Sequence, residues 1–430
     1  MWSIIRHTSL YTHANCDIIY VCCGLTCNSD LDFVINIVCA LYDAPRLGFS
    51  HSSGNLLLDP ALNEVVDPAK HNSFDWAHCY MVNGLFNTQV GLMMSELKAS
   101  KVTYSVLYEY VQLWSWPRRL SGRSATGHEA MGPKRATGSN KAGKFNAAAS
   151  EGLSLFPVLA HWIRSVLLPS GAHAAACKAF LSLSEVLDLL LASARGGVSP
   201  KALETAIVQH MDDFKSAFGE ENVAPKGHYV LHLPEMLHRL GFLPNTLVHE
   251  RKHKTVKRFG DAVSNTGAGF DRGILEEVTC HALHAMATAP GLKLELGLQE
   301  PKNPPNTLCR TLEVVFGFNP RCTYSQTCRF SKWGTCCVGD AVFWKEDGHW
   351  RVGQVLWHIN VVSACTSQVD DATLTGLTAW ELRRWTAASS TWLAQANTTL
   401  IRSLAICDTC IWSLDEHAGV ATVLHPIGVR

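Results

Sequence analysis

Between residues 146 and 222 the apolar side chains follow the period of an α-helix, and this pattern constrains the fold more than any other. In the last part of that stretch, five apolar residues recur every three or four positions: Leu203, Ile207, Met211, Phe214 and Phe218. This spacing places them on one helical face. Ser199 followed by Pro200 is typical of an N-cap and a first helical position. We therefore predict an all-helical block, with further helices at 153–168 and 174–194.

The pattern changes after a proline-rich segment at 301–305, where we predict a linker over 296–333. From residue 338 short runs rich in Val and Trp flank Asp347-Gly348, a pair typical of a two-residue hairpin turn. Further strands are predicted at 399–405, 410–414 and 420–424. We expect a small β-barrel of the SH3, Tudor or BAH-like kind over 334–430. The overall class is then α+β, mostly helical before the barrel.

Three tryptophans of the predicted barrel, Trp344, Trp350 and Trp357, allow two interpretations. They could line an aromatic pocket for a cationic side chain. They could equally form the core of the barrel, which is the commoner arrangement. The first interpretation implies a chromatin or protein ligand for this domain.

Charge and cysteine content limit the classes of function. The chain has 37 Lys and Arg against 37 Asp and Glu, so nucleic-acid binding requires local basic patches. Its 16 cysteines are scattered without a regular framework, which indicates free thiols in a reducing compartment. We expect a nuclear or cytoplasmic protein that is neither secreted nor membrane-spanning. Residues 1–70 are predicted to be irregular, and 1–40 could be unrelated sequence.

The densest polar chemistry lies between Ala224 and Arg258, where Glu250 is surrounded by cations. These cations are Arg251, Lys252, Lys254, Lys257 and Arg258. If 248–259 is helical, most of these charges share one face. A carboxylate among cations could hold a divalent metal near a phosphate backbone. The alternative is a solvated helix face with a Glu-to-Lys pair.

A second basic segment spans 117–145 and carries seven Lys and Arg, beginning with Arg118 and Arg119, against one Glu. Its Gly, Ser and Ala content predicts a mobile loop. Flexible basic segments can follow a phosphate backbone, although a solvated linker has the same composition.

Two other groups have the spacing of metal ligands. Asp75 and His78 are three residues apart on a helix that we predict to begin near Phe74 with Ser73 as N-cap. The pair could bind a metal, or the carboxylate could cap the helix and orient the imidazole. Cys280, His281 and His284 lie near one face of a predicted helix at 271–289. They could bind zinc or be ordinary structural residues.

Four blocks of the sequence carry a family resemblance. They are FDWAHCYMVNGLFNTQVGLM (74–93), KAGKFNAAASEGLSLFPVL (141–159), HYVLHLPEMLHRLG with VHERKHKTVKR (228–258), and EEVTCHALH (276–284). In this order they resemble the C-terminal half of cut-and-paste DNA transposases of the CACTA (En/Spm-like) type. The resemblance covers roughly residues 70–290 and implies a catalytic core that is truncated upstream.

The resemblance implies a nuclear, DNA-binding protein that contains a helical insertion and the remnant of an RNase H-like core. Such cores use two aspartates and a glutamate to hold two Mg²⁺ or Mn²⁺ ions for strand cleavage and transfer. Glu250 would be the surviving acidic member. Asp75 would belong to the Asp-x-x-His element, with membership of the acidic triad as the alternative. Because one carboxylate cannot hold two metals, the chain is expected not to catalyse transposition. Binding of double-stranded DNA is expected to be retained.

The competing hypothesis is a non-enzymatic scaffold of helices whose C-terminal barrel binds a chromatin or protein partner. It differs from the first hypothesis in placing the function in 334–430 rather than in 71–295. Structural zinc is compatible with either hypothesis.

Overall fold

The computed structural model describes residues 73–118, 128–244, 256–261, 270–288, 296–318, 320–332, 334–361 and 373–426. Its helices are α1 (Trp76–Tyr80), α2 (Leu85–Leu97), α3 (Tyr104–Gln112), α4 (His128–Met131), α5 (Pro133–Ala142), α6 (Ala149–Trp162), α7 (Ala174–Ser193), α8 (Pro200–Phe218), α9 (Pro225–Tyr229), α10 (Leu233–Leu240), α11 (Phe270–Thr288) and α12 (Asn306–Phe316). Residues 256–261 are also helical. The predicted irregular segment 1–70 lies outside the described residues.

The centre of the helical block is the hairpin formed by α7 and α8. Ser199 caps α8 by accepting the backbone N–H of Ala202, and Pro200 occupies the first turn, as predicted. Leu203, Ile207 and Phe214 are buried at the predicted spacing. Helices α2 and α6 pack on this hairpin and complete one large apolar core. The predicted helical block at 146–222 is confirmed.

Residues 117–145 differ from the predicted loop because they contain α4 and α5. Tertiary contacts explain the difference: Met131 is buried, and Pro133 opens α5 at a position where its missing N–H costs little. Arg135 pairs with the buried carboxylate of Glu151 at 2.5 Å. Part of the basic charge of this segment is therefore used inside the fold.

The strands are β1 (Gly297–Gln299), β2 (Cys322–Ser325), β3 (Thr327–Arg329), β4 (Thr335–Cys337), β5 (Ala341–Glu346), β6 (His349–Val361), β7 (Thr373–Trp385), β8 (Ser389–Arg402), β9 (Ile406–Cys410), β10 (Trp412–Asp415) and β11 (Val420–Leu424). An antiparallel sheet follows the order β10-β11-β8-β7-β6-β5-β9, with β2 also pairing β6. Strands β1, β3 and β4 form a second, smaller sheet.

The larger sheet curls into a half-barrel rather than the predicted small closed barrel. Register shifts interrupt the β6–β7 and β7–β8 pairs, and such bulges bend and twist a sheet. The predicted hairpin is confirmed: Asp347 and Gly348 both have positive φ between β5 and β6. Helices and an antiparallel sheet in separate regions confirm the mixed fold class.

The predicted linker at 296–333 is instead folded onto the half-barrel. It contains α12 and three short strands. Leu308 and Leu312 of α12 are buried against Trp357 and Ile359 of β6. The apolar face of α12 requires such a partner, and this requirement outweighs the proline-rich composition from which the linker was predicted.

Among the described residues, several contacts join the helices of residues 73–244 to the half-barrel. Ser115 and Trp412 exchange backbone hydrogen bonds of 2.7 and 3.1 Å. Helix α3 ends at Gln112 because the following chain extends to reach β10. The backbone N–H of Arg118 donates to Asp340 at 2.7 Å, and Leu424 of β11 is part of the helical core.

Two predictions about the environment can be compared with the described residues. The segment Ala149–Ser170 is long and apolar enough to cross a membrane by length and composition, and 56% of its most apolar window is buried inside the protein. This burial is what a core helix requires. The described cysteines are free thiols, several of them fully buried.

Candidate functional site

The N-terminus of α1 carries the Asp75–His78 pair. Asp75 is the N-cap, rather than the predicted Ser73: its Oδ1 accepts the backbone N–H of Ala77 at 2.9 Å. Its Oδ2 lies 2.5 Å from Nδ1 of His78. Of the two predicted interpretations, the structure has the carboxylate that caps the helix and orients the imidazole.

A pair of histidines lies beside this helix. Nε2 of His228 and Nε2 of His232 are 3.1 Å apart, and their rings meet edge to face. Burial, followed by the neighbouring His232, lowers the pKa of His228 to about 4. Burial also lowers the pKa of His232. Both rings are therefore neutral at pH 7, so one can donate a hydrogen bond to the other.

Phe74, which precedes Asp75, connects the Asp75–His78 pair to the two histidines. Its ring stacks on Tyr229 at 5.0 Å and on His232 at 5.2 Å between centroids. Its backbone N–H contacts Sδ of Met236 at 3.2 Å, across 162 residues of chain. The segment before α1 is thus fixed against α9 and α10.

Lys226 fixes the turn after α1 from the other side. Its Nζ donates to the carbonyl oxygens of Val82 at 2.7 Å and Asn83 at 3.3 Å. Burial lowers the pKa of Lys226, Cys79 opposes that shift, and the positive charge of Lys144 adds to it. Burial raises the pKa of Cys79 to about 12 against the effect of Lys226. Cys79 is consequently a protonated thiol and a poor nucleophile at pH 7.

Residues 144–147 complete this assembly by packing on α2. The N–H of Phe145 donates to the carbonyl of Asn87 at 3.0 Å, and Nδ2 of Asn87 donates to the carbonyl of Ala147 at 3.0 Å. Gly91 permits the approach, since a Cβ there would lie 2.5 Å from Cα of Lys144. Segments 74–93, 141–159 and 228–241 therefore form one packed unit, which we call the three-block unit.

A buried polar contact lies under this unit. Nε2 of His210 and Oε1 of Gln89 are 2.8 Å apart, and both residues are fully buried. Burial lowers the pKa of His210 to about 3, although Asp213 opposes the shift. The ring of Tyr80 lies 5.9 Å from that of His210. His210 is therefore held neutral in the core.

The fourth block of the sequence lies on α11, which covers 270–288 against the predicted 271–289. Cys280, His281 and His284 are exposed along it, and the ring of His281 meets that of Phe259 edge to face at 5.7 Å. Among the residues that the structure describes, no group of three or more His, Cys, Asp or Glu is placed to hold a metal. Asp75 and His78 are in contact with each other, and metal binding by either predicted group stays a prediction.

The predicted DNA-binding residues are only partly described. Lys257 and Arg258 are exposed in the helical segment 256–261, and the guanidinium of Arg258 lies 5.1 Å from the ring centroid of Phe259. Arg118 is exposed at the junction with the half-barrel, where its guanidinium faces Gly339. Four further predicted contacts, Arg119, Arg251, Lys252 and Lys254, and the predicted catalytic Glu250 lie outside the described residues.

The three tryptophans do not form one aromatic pocket. Trp344 and Trp357 are buried in two different apolar clusters, and Trp350 packs against a third. Of the two predicted interpretations, the structure therefore has the core one.

Sequence reasoning missed Phe74, Lys226 and Tyr229 as parts of the site. The spacing of His228 and His232 was the available signal, because residues four apart share a helical face. No local pattern indicates that this face would meet α1.

In comparisons with known proteins, the chain matches no family model, no curated protein and no solved structure. The sequence blocks and the geometry above are thus the grounds for assigning a function.

Proposed function

We propose that this chain is a transposase-like protein derived from a cut-and-paste DNA transposon, which binds duplex DNA and carries out no strand transfer. The observation that supports this proposal most is the three-block unit. Segments 74–93, 141–159 and 228–241 resemble CACTA transposases through their shared order along the chain, and they meet in one packed structure. Blocks inherited from one ancestral domain are expected to remain in contact.

The helical block would correspond to the helical insertion of such transposases, with the remnant of an RNase H-like core around Glu250. Within 73–118 and 128–244 the regular secondary structure of the described chain is helical, apart from the bridge between Ser115 and Trp412. An insertion that has kept its own apolar core can stay folded after loss of the catalytic strands.

Catalysis is not part of the proposal, because Asp75 does not suit a two-metal site. Both of its carboxylate oxygens are engaged, one by the N–H of Ala77 and the other by His78. A Mg²⁺ or Mn²⁺ pair requires several carboxylates that converge on the ions. Glu250 would then remain as an acidic residue without partners for that chemistry. Structural zinc at Asp75–His78 or on α11 stays a prediction.

DNA contact would come from the basic run at 251–258. Lys257 and Arg258 are exposed, so their charges can reach phosphate groups without unfolding any part of the core. Contacts of this type are insensitive to base sequence. Arg118 and Arg119 would extend the same surface only if the DNA reaches the junction with the half-barrel.

The test is anisotropy of a labelled duplex titrated with the full chain. Lys257→Ala/Arg258→Ala is expected to weaken binding for all duplex sequences alike and to reduce the salt slope by about 2. The matched control is Lys201→Ala/Arg351→Ala, which removes two exposed cations that pair with Glu204 and Glu346. Equal losses in both variants would contradict a specific basic surface, and no binding by the wild type would contradict the proposal.

The scaffold hypothesis remains the competing proposal, with the half-barrel as an SH3-, Tudor- or BAH-like reader. The separation of Trp344, Trp350 and Trp357 among different clusters argues against a cation-binding aromatic cage in it. We therefore place the function in residues 71–295.

A further inference from the structure

A serine, a histidine and a glutamate are hydrogen-bonded in series where the end of α2 meets the start of α7. Oγ of Ser100 lies 2.7 Å from Nε2 of His173. Nδ1 of the same ring lies 2.8 Å from Oε1 of Glu96. All three residues lie outside the three-block unit and outside the basic run at 251–258, so the proposed DNA binding does not use them.

Local structure brings these side chains together. Glu96 lies in the last turn of α2, and Ser100 ends the 3₁₀ turn Lys98–Ser100 that continues this helix. Residues four apart on a helix share a face, so both side chains are directed to the same neighbour. That neighbour is His173, which directly precedes α7 and has a φ of +55°, an uncommon value for a residue with a side chain. From this position the imidazole bridges the other two side chains.

The carboxylate determines which ring nitrogen carries the proton. An ionised carboxylate only accepts hydrogen bonds, so Nδ1 of His173 donates to Glu96. In the neutral imidazole Nε2 is then an acceptor, and the hydroxyl of Ser100 donates to it. A hydroxyl that donates to an imidazole oriented by a carboxylate is the arrangement that activates the serine of Ser-His-Asp and Ser-His-Glu hydrolases.

The serine is accessible, and backbone donors lie next to the histidine. Ser100 is exposed, whereas the side chains of His173 and Glu96 are 14% and 38% exposed. His173 is the N-cap residue of α7, a helix of 20 residues, and its side chain makes no cap hydrogen bond. First-turn N–H groups of a helix have no intrahelical acceptor, and the exposed Ala174 and Ala175 carry two of them. Such groups stabilise the negative oxygen that develops during acyl transfer.

We propose that Ser100, His173 and Glu96 hydrolyse small carboxylic esters. Oγ of Ser100 attacks the carbonyl carbon of the ester while its proton moves to Nε2 of His173. The bond from the acyl carbon to the alcohol oxygen then breaks, the alcohol leaves with that proton, and the acyl group stays on Oγ. Water attacks the acyl carbon and gives a proton to Nε2, the acyl–Oγ bond breaks, and Oγ recovers the proton as the carboxylic acid leaves.

The two remaining features define the role of Glu96 and the kind of ester. Glu96 is a positioning residue, because it acts on the substrate only through the tautomer and orientation of His173. Since Ser100 is exposed, binding of remote parts of the substrate contributes little to the rate. Esters with a short acyl chain and a good leaving group, such as aryl acetates, are therefore expected to react fastest.

The test is the release of 4-nitrophenol from 4-nitrophenyl acetate by the full chain, with mass spectrometry of the acid-quenched protein. Repeated turnover and an acetyl group on Ser100 are expected. Ser100→Ala should lower kcat/KM by about 100-fold or more and remove the acetylated peptide. Ser105→Ala, which removes an exposed serine of α3, should change neither result. No turnover by the wild type, or wild-type turnover by Ser100→Ala, would overturn the proposal.

Three further variants separate catalysis from structure. His173→Gln removes the base and should lower kcat/KM by about 100-fold or more. Glu96→Gln should lower kcat by about tenfold or more with KM unchanged, because it leaves a group of the same size without the charge. Glu96→Asp should recover part of the lost kcat, since it restores a carboxylate. Glu109→Gln, at an exposed position of α3, is the matched control and should retain wild-type kcat.

A purely structural role of Glu96 would give a different result. Equal kcat in Glu96→Asp and Glu96→Gln, or an equal loss in Glu109→Gln, would overturn the proposed triad. Lys257→Ala/Arg258→Ala is expected to hydrolyse the ester at the wild-type rate, and Ser100→Ala is expected to bind DNA with wild-type affinity. The proposed ester hydrolysis and the proposed DNA binding therefore fail independently.

Discussion

At the scale of single residues, the environment decides what each titratable group can do. Asp75 and His78 form a hydrogen-bonded cap, although the same spacing is compatible with a metal pair. His210 has the usual chemistry of an imidazole and yet is held neutral by complete burial. Residue type and spacing therefore predict proximity, whereas burial determines charge.

His210 gives the first prediction, which concerns pH. Its pKa is about 3 in the folded protein against 6.5 in the unfolded chain, so the unfolded state binds more protons between these values. The free energy of unfolding is therefore highest, with respect to this group, above pH 6.5, and it decreases as the pH falls below that value. The loss approaches about 1.4 kcal/mol per pH unit for this one group.

Urea denaturation of the wild type and of His210→Gln between pH 7 and pH 5 measures this contribution. The variant is expected to have the shallower pH dependence, whatever its stability at pH 7. His417→Gln, at an exposed position, should retain the wild-type slope. Equal slopes in wild type and His210→Gln would mean that His210 is not held neutral by the core.

At the scale of elements, close packing between backbones creates positions where only glycine is accommodated. A Cβ at Gly91 would lie 2.5 Å from Cα of Lys144 and 2.8 Å from the backbone N of Phe145. Gly91→Ala is expected to separate α2 from this segment and to destabilise the protein by about 1–3 kcal/mol.

Gly138→Ala is the control for this substitution. Gly138 lies in α5 with no heavy atom within 4 Å of its added Cβ. Alanine there should be neutral or stabilise the protein by up to about 1 kcal/mol, because it favours the helix. Chemical denaturation of both variants provides the comparison, and a similar loss in each would contradict the close contact between α2 and residues 144–145.

Helix α12 supplies a prediction about the segment that composition marked as a linker. Leu312 is fully buried, whereas Val314 on the opposite face is 84% exposed. Leu312→Ala should lower the free energy of unfolding by about 2–5 kcal/mol, and Val314→Ala should change it by less than about 0.5 kcal/mol. If both changes were equally mild in thermal and urea unfolding, α12 would not be docked on β6.

Local signals explain which elements the sequence predicts. Helix α8 carries its own cap and a five-residue apolar stripe, and the β5–β6 hairpin carries Asp347-Gly348. Strand β7 was missed because its second half, from Glu381 to Trp385, is exposed and gives no alternation. Helices α4 and α5 were missed because their Gly- and Ser-rich sequence favours a loop until contacts such as Arg135–Glu151 form.

The contacts of the candidate site also divide into local ones, which the sequence predicts, and long-range ones, which it does not. The Asp75–His78 and His228–His232 contacts are local, so spacing along a helix predicts them. Phe74 meets His232 across a long stretch of chain, and nothing in either segment by itself specifies the partner. The resemblance gives the order of the blocks along the chain, whereas the contacts between them depend on the three-dimensional fold.

At the scale of the whole molecule, the helical block and the half-barrel share structure. Leu424 of β11 is 4% exposed and belongs to the helical core. Leu424→Ala is therefore expected to destabilise both parts together by about 2–5 kcal/mol, with helical circular dichroism and tryptophan fluorescence changing in one transition. Leu414→Ala, at a 39% exposed position of β10, is the control. Separate transitions for the two probes would contradict a shared core.

The central proposal is that this chain is transposase-like and binds the phosphate backbone of DNA through a local basic surface. The most direct measurement is the affinity of the full chain for duplex DNA as a function of salt. If the five cations of 251–258 contact phosphates, the logarithm of the association constant should fall linearly with the logarithm of salt concentration, with a slope of about −4 to −5. An affinity independent of salt, or a slope unchanged by Lys257→Ala/Arg258→Ala, would contradict the claim.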